Sequence, residues 1–141
     1  MRIWSIHPKY LSDKKLIELW KNCLVAQRVF SAPSNDFIHR QLLRFLGSND
    51  PLEAIGAYLI EIYEESEKRN LDFNKDKILK PNKSNKLIKI PKGQMVYEIT
   101  KLNNFYAKNG EKVELNLFPE PHPLFRVVEG ELAYWENDLK K

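Results

Sequence analysis

The net positive charge of this 141-residue chain lies in its first fifty residues. That stretch has eight Lys and Arg against four Asp and Glu, an excess equal to the net charge of +4 of the whole sequence. A cluster of cations is suited to phosphate contacts with a polyanionic partner, although each one alone could be an ordinary solvated charge. The candidate phosphate-binding residues are Lys14, Lys15, Lys21, Arg28, Arg40 and Arg44.

Histidine is the side chain whose charge changes most readily near neutral pH, and three histidines occur here. His7 and His122 both stand beside prolines. Either could bind phosphate or assist proton transfer, or could instead form hydrogen bonds with the backbone of a loop. His39 precedes Arg40 and could extend the basic surface, so His7 and His39 join the candidate phosphate-binding residues.

Other catalytic signatures are absent from the sequence. The single cysteine, Cys23, falls on an apolar helix face with no His or Asn motif around it, so a buried thiol is a better interpretation than a catalytic one. Cys and His residues lack zinc-ligand spacing, and Gly-rich phosphate loops and Ser-His-Asp patterns are missing. The sequence therefore predicts neither a metal nor an organic cofactor.

Composition favours a single globular domain over residues 1–141, with 43% hydrophobic and 30% charged residues. No apolar run approaches the ~20 residues that a membrane span needs, and the opening residues lack the apolar centre of a signal peptide. One cysteine can form no internal disulfide. These features predict a cytoplasmic protein with no membrane partner, and we expect it to act as a monomer.

Helical periodicity appears in three stretches, each with a boundary signal. Ser12 is a good N-cap for the first helix, and Asp50, followed by a proline, is a good N-cap for the second. Gly110 is suited to the left-handed conformation that often ends a helix, and it closes the third. The expected helices cover about 13–30, 51–70 and 94–109.

The remaining segments are expected to be irregular. Residues 70–92 show neither a helical nor an alternating period and contain two prolines, which predicts a long connection. A short strand or hairpin could form at 113–118 or at 125–134. Three prolines between 119 and 123, followed by apolar residues, suggest an extended strap across the helices. The predicted fold is mainly α: a single compact domain of three principal helices with long loops and an extended C-terminal strap.

Three separated segments carry a resemblance to a known family. They are residues 1–10 (MRIWSIHPKY), 24–29 (LVAQRV) and 119–128 (PEPHPLFRVV). All three resemble bacterial and archaeal relatives of the pyrimidine-dimer DNA glycosylases, and the resemblance extends from residue 1 to about residue 135. It implies a mainly α-helical domain that binds damaged double-stranded DNA, excises a base and cuts the strand at the abasic site.

In that family the N-terminal amine is the nucleophile, and the resemblance places Met1 at this position. The amine would attack the sugar anomeric carbon of a damaged nucleotide, displace the base and form an imine through which β-elimination cuts the strand. An α-amine suits this step because its pKa is about 7.7–8.0, against about 10.4 for a lysine. An initiator Met before the large Arg2 is normally retained, so the candidate amine is that of Met1 after deformylation.

Asn22 falls where the family has its catalytic glutamate. A carboxylate there would accept protons and offset developing positive charge, whereas an amide can only form hydrogen bonds. Glu18 lies one helical turn earlier and could substitute for it, or could be a solvated helix acid. Lys21 and Arg28 match family positions whose basic residues hold the DNA backbone, and the other candidate cations would extend that surface.

Two functions follow from these residues. The first is a DNA-repair glycosylase with abasic-site lyase activity on pyrimidine dimers or related lesions. The alternative is a non-catalytic DNA-binding relative that has lost base excision because Asn22 replaces the family glutamate. A structural domain without affinity for nucleic acid is a third interpretation.

Overall fold

The computed structural model describes residues 1–32 and 38–136. About 51% of the described residues are helical, which confirms the mainly α class. The helices are α1 (Asp13–Ser31), α2 (Leu43–Leu46), α3 (Pro51–Lys68) and α4 (Lys92–Lys108), and the strands are β1 (Ile88–Pro91) and β2 (Phe125–Val128). Single 3-10 turns lie at Pro8–Tyr10, Arg40–Leu42 and Lys75–Lys77.

The helix boundaries follow the capping residues. The Ser12 hydroxyl accepts a hydrogen bond from the backbone N–H of Lys15 at the start of α1, and the Asp50 carboxylate accepts from two backbone N–H groups at the start of α3. Beyond α4, Gly110 adopts a φ of 77°, which residues with a Cβ rarely adopt. All three predicted boundary signals are confirmed. The Ser12 and Asp50 side chains pair with backbone N–H groups that the start of a helix leaves unpaired, and Gly110 adopts the left-handed conformation in which the chain leaves α4.

The core forms where α3 packs against α1. Helix α1 buries one stripe, Leu16, Leu19, Trp20, Cys23 and Ala26, at the three- and four-residue spacing of a helix face. Helix α3 is buried over most of its circumference between Ala54 and Ile60, which makes it the central helix. None of the helices in the described ranges is long and apolar enough to cross a membrane.

Two features differ from the sequence prediction. Strands β1 and β2 pair in parallel, with Ile88 opposite Phe125 and Pro91 opposite Val128, and β1 lies inside the predicted connection 70–92. Helix α2 adds a fourth helix to the three expected, and it is too short for a helical period to show in the sequence. The second of the two suggested strand positions contains β2, whereas residues 113–118 have no strand.

The N-terminal segment runs through the interior and pairs with the C-terminal strap. Residues 3–6 are all buried, and Ile6 forms an isolated antiparallel bridge with Pro121. The backbone N–H of His122 donates to the Ser5 carbonyl across 2.8 Å. Two of the segments that carry the family resemblance, 1–10 and 119–128, are therefore in direct contact, and their joint role is to fix the start of the chain against the core.

Candidate active site

Met1 lies at the edge of a cleft of about 340 Å³ beside α1. Met1 is 44% exposed, so this residue is accessible from solvent. One wall comes from α1, whose Lys15, Glu18, Leu19 and Asn22 recur at three- and four-residue spacing and so share a face. The opposite wall consists of the N-terminal residues Arg2 and Trp4. The structure thus brings together the three predicted catalytic residues, Met1, Glu18 and Asn22.

Hydrogen bonds from three directions fix the residues next to Met1. The Asn22 amide donates to the Arg2 carbonyl across 3.1 Å. The Arg2 guanidinium donates to both carboxylate oxygens of Glu136, with Nη2 and Oε2 3.1 Å apart. The next backbone N–H, that of Ile3, donates to the Gln41 side chain across 3.1 Å. Residue 22 therefore acts on the backbone beside the candidate nucleophile, in a position where glutamate could not donate.

Two buried carboxylates lie behind this segment. Glu98 is fully buried and accepts from the backbone N–H groups of Ser5 and Ile6 across 2.6 and 3.3 Å. The Gln94 amide donates to Glu98 and to Glu136, across 2.8 and 3.0 Å. Burial alone would raise the pKa of Glu136, but the hydrogen bonds and the charge of Arg2 together hold this pKa below its usual value.

Sequence reasoning missed this polar network. Gln94 and Glu98 are four residues apart on α4 and interrupt its apolar stripe, which is the one signal that could have indicated a buried polar pair. Glu136 and Gln41 lie in irregular or single-turn segments, where no periodicity distinguishes a buried side chain from an exposed one. Their role as supports of the N-terminal segment depends on contacts between residues far apart in the chain.

The expectation that Arg44 contributes to a phosphate-binding surface is wrong. Its side chain lies in the core, where it donates to Ser5 Oγ across 2.6 Å and to Gln41 Oε1 across 2.7 Å. The guanidinium also lies 3.9 Å from the ring centroid of Trp135 and within 4.0 Å of the Glu98 carboxylate. Burial lowers the pKa of Arg44, and the nearby Glu98 charge opposes this effect. Arg44 is a structural cation of the buried network.

Lys14, Lys21 and Arg28 are exposed and lie on one side of α1. They are spaced seven residues apart, which is close to two helical turns, so their side chains form a stripe along the helix. This stripe is adjacent to the face that lines the Met1 cleft, because Glu18 in the cleft lies four residues after Lys14 and three residues before Lys21. Contact of this stripe with DNA stays a prediction.

Lys15 projects into the cleft wall and is half-buried. Its ammonium group lies 3.7 Å from the ring centroid of Phe105 on α4, a short cation–π contact. Burial lowers the pKa of Lys15; the Glu18 charge opposes this shift, and the positive charges of Arg2 and Lys101 add to it.

Each of the three histidines uses Nδ1 to accept a backbone N–H two residues ahead. His7 accepts from Lys9, His39 from Gln41 and His122 from Leu124, each across 3.0 Å. Burial lowers the pKa of His39, and the positive charges of the Met1 amino group, Arg40 and Arg2 lower it further. The Met1 amino group is thus close enough to His39 to affect its charge, and the exposed Arg40 lies 3.9 Å from Glu136, the partner of Arg2. Half-buried His7 belongs to the turn before α1, where burial and the charge of Lys9 lower its pKa.

His122 and Cys23 belong to the core. The His122 ring stacks on Tyr58 with centroids 4.0 Å apart and an angle of 3°, and burial lowers the pKa of His122 to about 3. Cys23 is fully buried, and burial raises the pKa of its thiol. Over residues 1–32 and 38–136, no three His, Cys, Asp or Glu side chains are grouped so that they could hold a metal ion.

The described residues form a mainly α-helical protein whose first residue opens on a cleft beside a basic stripe. The family model of pyrimidine dimer DNA glycosylases matches residues 1–79, more than half of the chain. The chain belongs to this family, and so to the DNA-repair glycosylases, which act on DNA. Searches of curated proteins and of solved structures found no match. The matched residues include the α1 wall of the cleft, whereas Glu98 and Glu136 lie beyond them.

Proposed function

We propose that the protein excises bases from pyrimidine dimers or related lesions in double-stranded DNA and then cuts the strand, with the Met1 amine as nucleophile. The observation that carries this proposal is that Met1, Glu18 and Asn22 line one cleft. We also propose that the chain belongs to the bacterial and archaeal branch, whose members the runs at 1–10 and 119–128 resemble.

The proposed reaction assigns each step to a group of the cleft. The neutral Met1 amine attacks C1′ of the damaged nucleotide, and the base leaves with one proton of the amine. The sugar ring then opens: the C1′–O4′ bond breaks, O4′ takes a proton from solvent, and the amine nitrogen and C1′ form a protonated imine. Loss of a proton from C2′ then expels the 3′-phosphate, and water releases the sugar from Met1. Glu18, the one carboxylate among the described residues that line the cleft, accepts the C2′ proton.

Binding of the DNA involves the cations around the cleft. Lys14, Lys21 and Arg28 contact phosphates along α1, and Lys15, His39 and Arg40 contact the nucleotide nearest to Met1. Neutralising phosphates supplies most of the affinity, and clamping the strand on both sides of the lesion allows the damaged nucleotide to leave the base stack. His7 contributes at the edge of this surface.

A second function is favoured by the state of residue 22. The Asn22 amide carries no charge and is occupied by the Arg2 carbonyl, so it neither accepts a proton nor offsets positive charge on the sugar. If the exposed Glu18 carboxylate does not replace the family glutamate, the protein binds damaged DNA without excising the base. The two functions share the same surface and differ only in chemistry.

Borohydride trapping tests the proposal. The purified protein, whose intact mass establishes that it begins with Met1, is mixed with duplexes that contain a cyclobutane dimer or an abasic site, reduced and mapped by mass spectrometry. We expect an adduct at the Met1 amine. A variant with two extra N-terminal residues, which moves the amine out of the cleft, is the control and is expected to give no adduct.

The outcomes separate the candidates. Trapping on both duplexes supports glycosylase and lyase activity, and trapping on the abasic duplex alone restricts the activity to the lyase step. No adduct on either duplex, with salt-dependent DNA binding retained, supports the non-catalytic relative. Binding that does not weaken with salt excludes the DNA backbone as the ligand, because phosphate contacts require a steep dependence on salt.

A further inference from the structure

A larger groove adjoins the Met1 cleft on the side of α4. Its volume is about 860 Å³. Three residues, Arg2, Trp4 and Lys15, line both the groove and the cleft, so the two depressions are continuous. The other lining residues are Lys101, Asn104, Phe105, Ala107 and Lys108, all on α4. They lie outside the residues that the family model matches.

The α4 wall presents one exposed face of the helix. Lys101, Asn104 and Lys108 are spaced three and four residues apart and are exposed, while Leu102 and Tyr106 are buried on the other side. From Lys101 to Lys108 is about 10 Å along the helix axis at about 1.5 Å per residue. This length corresponds to about three nucleotide steps of one DNA strand, at about 3.4 Å per step.

The groove is strongly cationic. Four of its eight lining residues are Lys or Arg, and none of the eight, all within the described part of the chain, is acidic. Phe105 holds the Lys15 ammonium over its ring where the groove meets the cleft. Because the groove combines positive charge with an exposed amide and continuity with the cleft, it is complementary to a phosphate chain that enters or leaves the site of reaction.

We propose that this groove binds the sugar-phosphate backbone of one DNA strand next to the nucleotide in the Met1 cleft. Lys101 and Lys108 contact phosphates, and the Asn104 amide donates to a phosphate oxygen between them. This inference rests on the proposed function, since the strand is that of the same substrate. It assigns to α4 a role in holding DNA beside the basic stripe of α1.

Equilibrium binding across a salt series tests the groove. The probe is a duplex with a tetrahydrofuran abasic-site analogue, and the variant is Lys101→Ser with Lys108→Ser. We expect about tenfold weaker binding near physiological salt and a slope of log K against log salt less steep by about 2, because two phosphates are no longer neutralised. The control, Lys68→Ser with Lys89→Ser, removes two exposed lysines outside the groove and is expected to bind like wild type.

Neutral phosphates identify the occupant of the groove. A methylphosphonate is placed at each phosphate within about four nucleotides of the abasic site, one strand at a time. Some methylphosphonates are expected to weaken DNA binding by wild type but not by the groove variant. Those methylphosphonates should occupy consecutive positions on one strand. All the variants are also checked by thermal unfolding, which these exposed side chains are expected to leave unchanged.

The results distinguish this inference from the proposed function. If wild type binds with a steep salt dependence and the groove variant has the same slope, the groove is not a DNA contact and the proposed function stands. The same conclusion follows if every methylphosphonate weakens the variant as much as wild type. If wild type binds no DNA and gives no adduct at Met1, both proposals fall together.

Discussion

Arg2 and Glu136, 134 residues apart in the sequence, form a bidentate ion pair whose carboxylate is almost completely buried. The pair places a residue of the C-terminal strap directly behind the first peptide of the chain. The Arg2 carbonyl, in the second peptide, accepts the Asn22 hydrogen bond. Glu136 and Asn22 therefore fix Arg2, the residue that follows the proposed nucleophile, and the predictions below separate this positioning from the chemistry at Met1.

Glu136→Gln is expected to destabilise the fold and to slow trapping at Met1. Removing the charge leaves the partly exposed Arg2 without its partner, which we expect to cost about 1–3 kcal/mol of unfolding free energy, because solvent screens part of the interaction. Loss of orientation should slow imine formation about tenfold or more. Denaturant unfolding and single-turnover trapping measure the two effects. Glu120→Gln, which breaks an exposed pair with Lys9, is the control, and equal behaviour of both variants would contradict the positioning role.

Asn22→Glu is expected to increase base release while reducing stability. A carboxylate at residue 22 supplies a proton acceptor and negative charge near the sugar, an effect typically worth about 100-fold or more in rate. The same change loses the hydrogen bond to the Arg2 carbonyl, at a cost of about 1 kcal/mol. Base release from a dimer-containing duplex measures the gain. Asn22→Asp, with a shorter side chain, is the matched comparison, and unchanged or lower base release in Asn22→Glu would show that the natural site works by another arrangement.

His122 is expected to make the fold sensitive to mild acid. Its folded pKa of about 3 lies below the ordinary value of 6.5, so the unfolded chain binds one more proton between these limits. The stability that neutral His122 contributes is complete above about pH 6.5 and is lost as pH falls toward 3, at up to about 1.4 kcal/mol per pH unit. Urea unfolding from pH 7 to pH 4.5 tests this. His122→Asn, which does not titrate, should flatten the dependence, and parallel curves would refute the assignment.

Substitutions of Arg44 and Arg28 are expected to have opposite effects on protein stability and on DNA binding. Arg44→Met removes the cation beside buried Glu98 and should cost about 3 kcal/mol of unfolding free energy or more. Arg28→Ser changes an exposed side chain, so it should leave stability unchanged and reduce the salt slope of DNA binding by about 1. Thermal unfolding and binding titrations measure both. A stable Arg44→Met protein with a reduced salt slope would restore Arg44 to the DNA surface.

The sequence was sufficient for the long helices because their signals are local. Ser12, Asp50 and Gly110 each act on backbone groups within a few residues, and the apolar stripe of α1 repeats over successive turns. Strands β1 and β2 have four residues each, and their pairing depends on residues nearly forty positions apart. Too few side chains alternate in such short segments to produce a pattern.

The candidate site was predictable where it depended on a resemblance and not where it depended on burial. Glu18 and Asn22 share a face of α1 as their spacing predicted, and Met1, which the resemblance placed at the site, lines the same cleft. Arg44 is 5% exposed, whereas Arg28 and Arg40 are exposed. A count of charges along the sequence does not distinguish these arginines, because burial depends on contacts with distant residues. The contacts of Glu98 and Glu136 with the N-terminal segment join residues far apart in the chain, so the sequence alone did not predict them.

The contact between Arg2 and Glu136 also has a consequence for biosynthesis. A ribosome makes residue 2 long before residue 136, so the amine of a nascent chain has no fixed orientation until the C-terminal strap has emerged. The β1–β2 pairing imposes the same order, because β2 follows β1 by more than thirty residues. The contacts that fix Arg2 thus form only after the strap has been made, so we expect a chain truncated before the strap to lack a fixed N-terminal segment.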